Sequence, residues 1–291
     1  MVDLDLDTLV LERGKHAYAE KGMNVLEAVS AISPNEKFSD SPKSVSPVIA
    51  AFLKEWNDDL EDEPRQKLKQ YIPRIANCIL TEDIEEFRAW TATDWLVRVQ
   101  APVWLEAAGL DEFAEALRQQ DPVVFPDQAR NVQKIMDEAA AYANVGAKDL
   151  SRDWGEAGEG AWAKVGPKSW EAAGNGVKMA VRRATSSGQK AASAAAGYGL
   201  RYAARDAAVE VACDAAWDAA FIVAWNAALP VGGFKTGEAS AAAAEALAPI
   251  AAALEELQFD LLDILLSTRR VPEEYKSVDY EGQEKRKSKD F

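Results

Sequence analysis

A column of alanines constrains this chain more than any other feature. Ala204, Ala208, Ala212, Ala216, Ala220, Ala224 and Ala228 recur at every fourth residue without exception. Residues four apart are neighbours on a helix, and methyl-sized side chains repeated this way let a second backbone come close. Beside the alanines run a bulky column (Val209, Cys213, Trp217, Phe221, Trp225, Leu229) and an acidic one (Asp206, Glu210, Asp214, Asp218). A single helix is expected from about Gly199 to Leu229, stopped by Pro230 and Gly232-Gly233. Four residues subtend about 400° at 3.6 residues per turn, so each column drifts about 40° per repeat and the helix must meet several neighbours along its length. The alanine column is expected in a close helix contact.

Upstream, Trp154, Trp162 and Trp170 stand eight apart, and a glycine follows each by four residues: Gly158, Gly166 and Gly174. This WxxxGxxx unit is an internal repeat. Three indoles in water would forgo about 150–250 Å² of burial each, so the repeat is expected to be buried, each glycine making room for an indole from an adjacent helix or repeat. So regular a device exceeds the needs of an ordinary core, which makes Trp154, Trp162 and Trp170 candidate contacts between copies.

The remaining periodicity is also helical, giving an all-α fold class. Asn24 opens a stripe through Val25, Leu26, Val29 and Ile32; Ser46-Pro47 caps a helix bearing Val48, Phe52, Trp56 and Leu60; Pro73 must kink or restart the next. Thr81 with Glu82 and Asp83 starts a long helix, Pro102 and Gly109 bracket a short one, Asp111 caps one through Leu117, and Asp127 caps one through Tyr142. The last helix spans about Glu238 to Ser267, with Pro249 as a kink. Three regions follow: an N-terminal all-helical domain over 1–143, an alanine, tryptophan and glycine-rich helical region over 144–268, and a charged, mobile tail over 269–291. Within the first, residues 1–22 suit an extended arm, because Val2, Leu4 and Leu6 alternate with Asp3, Asp5 and Asp7.

The chain's 48% hydrophobic residues suffice for a full core without disulfides or metals. Its 48 acidic against 33 basic residues give a net charge of −15, which opposes non-specific binding to phosphates or anionic lipid. No basic n-region, apolar leader or run of about 18 apolar residues is present, so the expectation is a cytoplasmic protein with no membrane partner. Cys78 and Cys213 match no metal or CxxC spacing and read as buried small hydrophobes.

Catalytic chemistry finds little support. His16, the single histidine, excludes a His-rich metal site and reads as structural or solvated. The acidic runs Asp58 to Glu63 and Glu82 to Glu86 lack the spacing and glycine of a calcium loop and read as a solvated helix end and a dipole-matched helix start. The glycines form no phosphate-cradling motif. No catalytic residue, cofactor or metal is assigned, and an enzyme is not expected.

Charge is unevenly spread. Between Lys164 and Arg205 stand eight cations (Lys164, Lys168, Lys178, Arg182, Arg183, Lys190, Arg201, Arg205) and one acid, Glu171, a local +7 that leaves −22 for the rest. Three readings stay open: docking on the chain's own acidic remainder, docking on another copy, or nucleic acid through residues 164–205. The acidic stripe Asp206, Glu210, Asp214 and Asp218 reads as the wet face of its helix or as a row imitating phosphates. Lys178, Arg182 and Arg183 join that stripe and the tryptophans as candidate interaction residues.

Residues 5–108 resemble a family of uncharacterised alanine-rich proteins of actinobacteria and their phages. The resemblance lies in Asp5-Leu6-Asp7-Thr8-Leu9-Val10-Leu11, Gly22-Met23, Glu27-Ala28-Val29, Ser39-Asp40, Ser46 through Leu53, Trp56-Asn57-Asp58 and Ile72-Pro73-Arg74. Further on the likeness is compositional, as in Ala203-Ala204-Arg205-Asp206 and Ala215-Ala216-Trp217-Asp218. Such proteins often carry cysteine where this chain has Asn24 and Ser44, and histidine at Phe38, so thiol or imidazole chemistry is not implied. The resemblance implies a bacterial or phage origin and an accessory role. The expected function is a non-catalytic structural or interaction protein that associates with itself as part of a phage particle or bacterial assembly. An immunity or anti-defence inhibitor, binding a basic partner through its acidic surface, is the alternative, and an enzyme comes third.

Overall fold

Asn24 and Ser46 start helices where the sequence places them, whereas Asp111 and Asp127 lie inside the first turns of theirs and not at the caps. The computed structural model describes residues 4–34, 36–199, 201–232, 236–275 and 285–286, with backbone alone at 20, 162, 163, 187, 201, 232, 236, 274, 285 and 286. Asn24 caps α1 (Val25–Ile32): its side chain accepts the Glu27 amide while Glu27 accepts the Asn24 amide, both at 2.9 Å, a reciprocal capping box. Ser46 accepts the Ile49 amide at the start of α2 (Pro47–Asp59), where Pro47 forfeits no hydrogen bond. After α3 (Asp62–Gln66) and a 3₁₀ turn over Lys67–Tyr71, the chain restarts at Pro73 in α4 (Ile72–Ile75). The first turn of α5 (Glu82–Trp95) carries Glu82, Asp83 and Glu85, matched to the helix dipole.

Pro102 lacks an N–H and crowds the carbonyl four residues back; the chain absorbs this with a π turn over Leu96–Gln100 before α6 (Ala101–Ala107). Five further helices complete the order: α7 (Asp111–Arg118), α8 (Pro126–Val165), α9 (Pro167–Ala196), α10 (Ala203–Gly232) and α11 (Thr236–Ser267). The fold is all-α. Extended pairing among the described residues amounts to a Leu11–Met23 bridge and a two-residue antiparallel pair, Arg201–Tyr202 with Lys285–Arg286.

The packing forms two compact units, one of Met1–Thr93, Lys190–Arg205 and Phe259–Phe291, the other of Asp94–Gln189 and Asp206–Gln258. This division differs from the expected break at 143/144. The helix expected to end at Tyr142 runs 40 residues to Val165, because alanine and glycine alter composition without interrupting the hydrogen-bonded turns.

In the first unit, Phe52, Leu53, Trp56, Trp90, Leu68 and Ile72 are buried, with Trp56 5.1 Å from Phe52 and 4.5 Å from Phe259 between ring centroids. The expected arm is extended only in part. Asp5 accepts the Asp7 amide and the Thr8 hydroxyl and so folds 5–8 into a turn. Beyond it, Leu9 and Leu11 point inward and Val10 outward, and the Gln66 amide both donates to and accepts from the Leu11 backbone at 2.9 Å, replacing a partner strand. The expected tail mobility falls largely on residues outside the description; those described pack, Tyr275 lying 5.6 Å from Phe87.

The second unit holds most of α8, α9, α10 and α11. Ala208, Ala212, Ala216, Ala220, Ala224 and Ala228 are all fully buried, while Ala204 is half-buried. Because this column turns through about 200° between residues 208 and 228, α10 is enclosed on a rotating side by successive neighbours. α8 and α10 run parallel: Asn144 donates to Asp218 at 2.7 Å, a Cβ on Gly146 would stand 2.9 Å from Ile222, and Trp154 meets Trp225 at 5.2 Å.

Candidate interaction surface

The tryptophan–glycine repeat forms a hairpin and not a linear array. Gly166, at φ 79°, takes the left-handed conformation that L side chains resist and ends α8, and Pro167 starts α9. The turn reflects the repeat onto itself. Trp154 and Trp170 stack at 4.2 Å and 21°, Trp170 lying over Gly158 and Trp154 over Gly174. A Cβ on Gly158 would come within 2.4 Å of Trp170 Nε1, and one on Gly174 within 3.0 Å of Trp154 Nε1. Gly158 and Gly174 thus make room for indoles of the facing helix, as their spacing implied, whereas Gly166 has nothing within 4 Å and makes the turn instead.

Trp154 and Trp170 are buried inside one chain, which corrects their expected role as contacts between copies. Their apolar area is already used against each other and against Trp225 on α10. The side chain of Trp162 lies outside the described residues.

The cations separate into two groups. Lys178, Arg182 and Arg183 are exposed on α9 with Met179 between them, and none forms an ion pair or hydrogen bond with a described residue. Arg205 does not belong to that face. It is fully buried in the first unit, donating to Glu86 at 2.7 Å and to the Tyr198 carbonyl at 3.1 Å, and its guanidinium lies 5.2 Å from Trp90 and 5.6 Å from Tyr202. Lys190, also in the first unit, pairs with Asp59 at 3.4 Å. Intramolecular docking therefore accounts for part of the +7 segment, and Lys178, Arg182 and Arg183 are left for a partner.

On α10, Glu210 and Asp214 are exposed and make no ion pair with a described residue; Asp206 and Asp218 are half-buried, Asp218 holding Asn144. Lost hydration, then the charge of Asp218, raises the Asp214 carboxyl above its ordinary value. Half-buried Trp217 and Phe221 share this face, edge to face at 5.4 Å.

No protein-family model, curated protein or solved structure matches this chain. Its chemistry is therefore read from its own residues.

His16 is more engaged than a loop histidine. Its Nδ1 lies 2.9 Å from Glu27, a fully buried carboxylate that also accepts the His16 and Asn24 amides, and its Nε2 lies 3.3 Å from Glu12. Two carboxylates flank the ring, so the group ties the N-terminal segment to α1. Nearby, Gly14, Lys15, Asn24, Asp40, Lys54, Asn57 and Asp58 line a cavity of about 30 Å³, room for about one water and far below a ligand site. Its polar walls bind each other: Lys15 and Lys54 hold Asp40 at 2.9 and 3.8 Å, and Asp58 accepts the Gly14 amide at 2.7 Å. The Lys15 ammonium accordingly holds the Asp40 carboxyl below its ordinary range.

A second buried network joins Ser46, Cys78, Glu85 and Arg88. Arg88 donates to Glu85 at 2.7 Å and to the Cys78 and Thr268 carbonyls at 3.0 Å, while the Cys78 thiol, pushed up by burial, accepts the Ser46 amide. Sequence gave no hint of Arg88 and Arg205 as buried ions, since their partners are set by tertiary contact. Among the described residues, no group of three or more His, Cys, Asp or Glu could hold a metal, and no helix is long and apolar enough to cross a membrane.

Proposed function

We propose that this chain is a non-catalytic interaction protein that associates with copies of itself, as a component of a bacterial or phage assembly. The supporting observation is that one helical unit carries two exposed stripes of opposite sign, Lys178, Arg182 and Arg183 on α9 and Glu210 and Asp214 on α10, with no ion-pair partners among the described residues. Unpaired complementary charges on one molecule favour encounter between copies, and like-signed partners are repelled. A net charge of −15 turns phosphate polymers away from all but the α9 stripe.

Sedimentation of the full chain tests the proposal. Mass above the monomer is expected at micromolar concentration and low salt, falling as salt screens the stripes. A monomer under those conditions overturns self-association. It directs attention to the alternative, an inhibitor whose acidic Glu210 and Asp214 face a basic protein.

A further inference from the structure

We infer that the contact between copies joins unlike faces, the basic face of α9 in one copy seating on the acidic, aromatic face of α10 in the next. The inference rests on the self-associating reading above and gives it residues and a polarity. On α9, Met179 is 60% exposed at the centre of Lys178, Arg182 and Arg183. An apolar centre inside a charged rim is the layout of a protein interface. On α10, half-buried Trp217 and Phe221 lie among Glu210, Asp214 and Asp218.

The two faces match in spacing and in chemistry. Lys178 and Arg182 are four residues apart, as are Glu210 and Asp214, so both pairs repeat at about 6 Å along their axes. A thioether such as Met179 suits the edge of an aromatic ring, and an arginine suits the face of an indole. α8 lies against both helices, its Trp154 meeting Trp170 of α9 and Trp225 of α10, and within one chain no ion pair joins Lys178, Arg182 or Arg183 to Glu210 or Asp214. A contact that uses one face of each copy leaves one basic and one acidic face open. Contacts of this type add copies until a ring closes or a filament continues.

Two charge-reversed forms of the full chain test the inference: K178E/R182E/R183E, and E210K/D214K, all at exposed positions. Circular dichroism checks that both retain the parent's helicity. The parent should grow beyond a dimer as concentration rises at low salt. Each variant alone should stay monomeric, its dissociation constant raised about tenfold or more. An equimolar mixture should assemble again, because every α9 then meets an α10 of opposite sign. M179A should weaken association at low and high salt alike, since apolar burial is not screened. If the parent assembles and either variant alone assembles equally well, or the mixture stays monomeric, or growth stops at a dimer, the unlike-face contact is wrong while self-association stands. A monomeric parent overturns both.

Discussion

Replacing Gly158 by alanine isolates the tryptophan–glycine hairpin as a packing device. The substitution favours the helix by about 1 kcal/mol through propensity. Against that, the new Cβ would stand 2.4 Å from Trp170 Nε1 and 2.8 Å from its Cδ1, where carbon contacts settle near 3.5–4.0 Å. The indole must retreat by about an ångström, which strains a stack with Trp154 worth about 0.5–1.5 kcal/mol and costs about 1–3 kcal/mol of overpacking in all. G158A should therefore lose about 1 kcal/mol net. At Gly155, one turn away, nothing lies within 4 Å, so G155A should gain about 0.5–1 kcal/mol. Gly174, with its nearest neighbour at 3.0 Å, should fall between them. Urea unfolding followed by the far-ultraviolet helical signal measures the order. Equal stability of G158A and G155A would refute the packing argument.

Three further outcomes are expected. A216L should cost about 1–3 kcal/mol, because Ala216 is fully buried and the added isopropyl group has nowhere to go; a melting temperature at or above the parent's contradicts this. Burial first, and then the Asp263 carboxylate, raises Tyr71 from 10.0 to about 12, so the neutral phenol is favoured in the folded state; its stabilisation is whole below pH 10 and is lost as pH rises toward 12. Y71F should therefore show a shallower loss of stability across that window than the parent, and parallel pH profiles would contradict the linkage. R205A leaves the buried Glu86 carboxylate without its arginine and should destabilise by about 3–5 kcal/mol in denaturant titration, whereas a loss as small as that of a surface pair would place Arg205 in solvent.

Much of the local structure was legible. Ser46-Pro47 starts α2 as the capping pattern required, and Gly109 ends the short helix after Pro102, because these effects act within one turn of chain. Asp111 and Asp127 sit inside the first turns of α7 and α8 and not at their caps, a slip of a residue or two. At residues 5–8 the alternation makes a turn and not an arm, since aspartates that alternate with leucines also form Asx turns. On the candidate surface, Lys178, Arg182 and Arg183 stand where their sequence implied, but Arg205, which shares their segment, is buried against Glu86, 119 residues away.

The sequence by itself determined that this chain is helical, that Asn24 and Ser46 cap its first helices, that the alanine column is buried from Ala208 to Ala228, and that Gly158 and Gly174 serve indoles. Each is a matter of periodicity or side-chain size along one helix. Tertiary structure decided which indole Gly158 and Gly174 each serve, and it turned a linear repeat into a hairpin through one left-handed residue, Gly166. It also decided which cations are neutralised: Arg205 and Lys190 meet carboxylates from distant segments, and Lys178, Arg182 and Arg183 do not. A charge pattern gives the sign and spacing of a stripe, but its exposure depends on which helix packs against it, and that follows from long-range contacts no local period encodes.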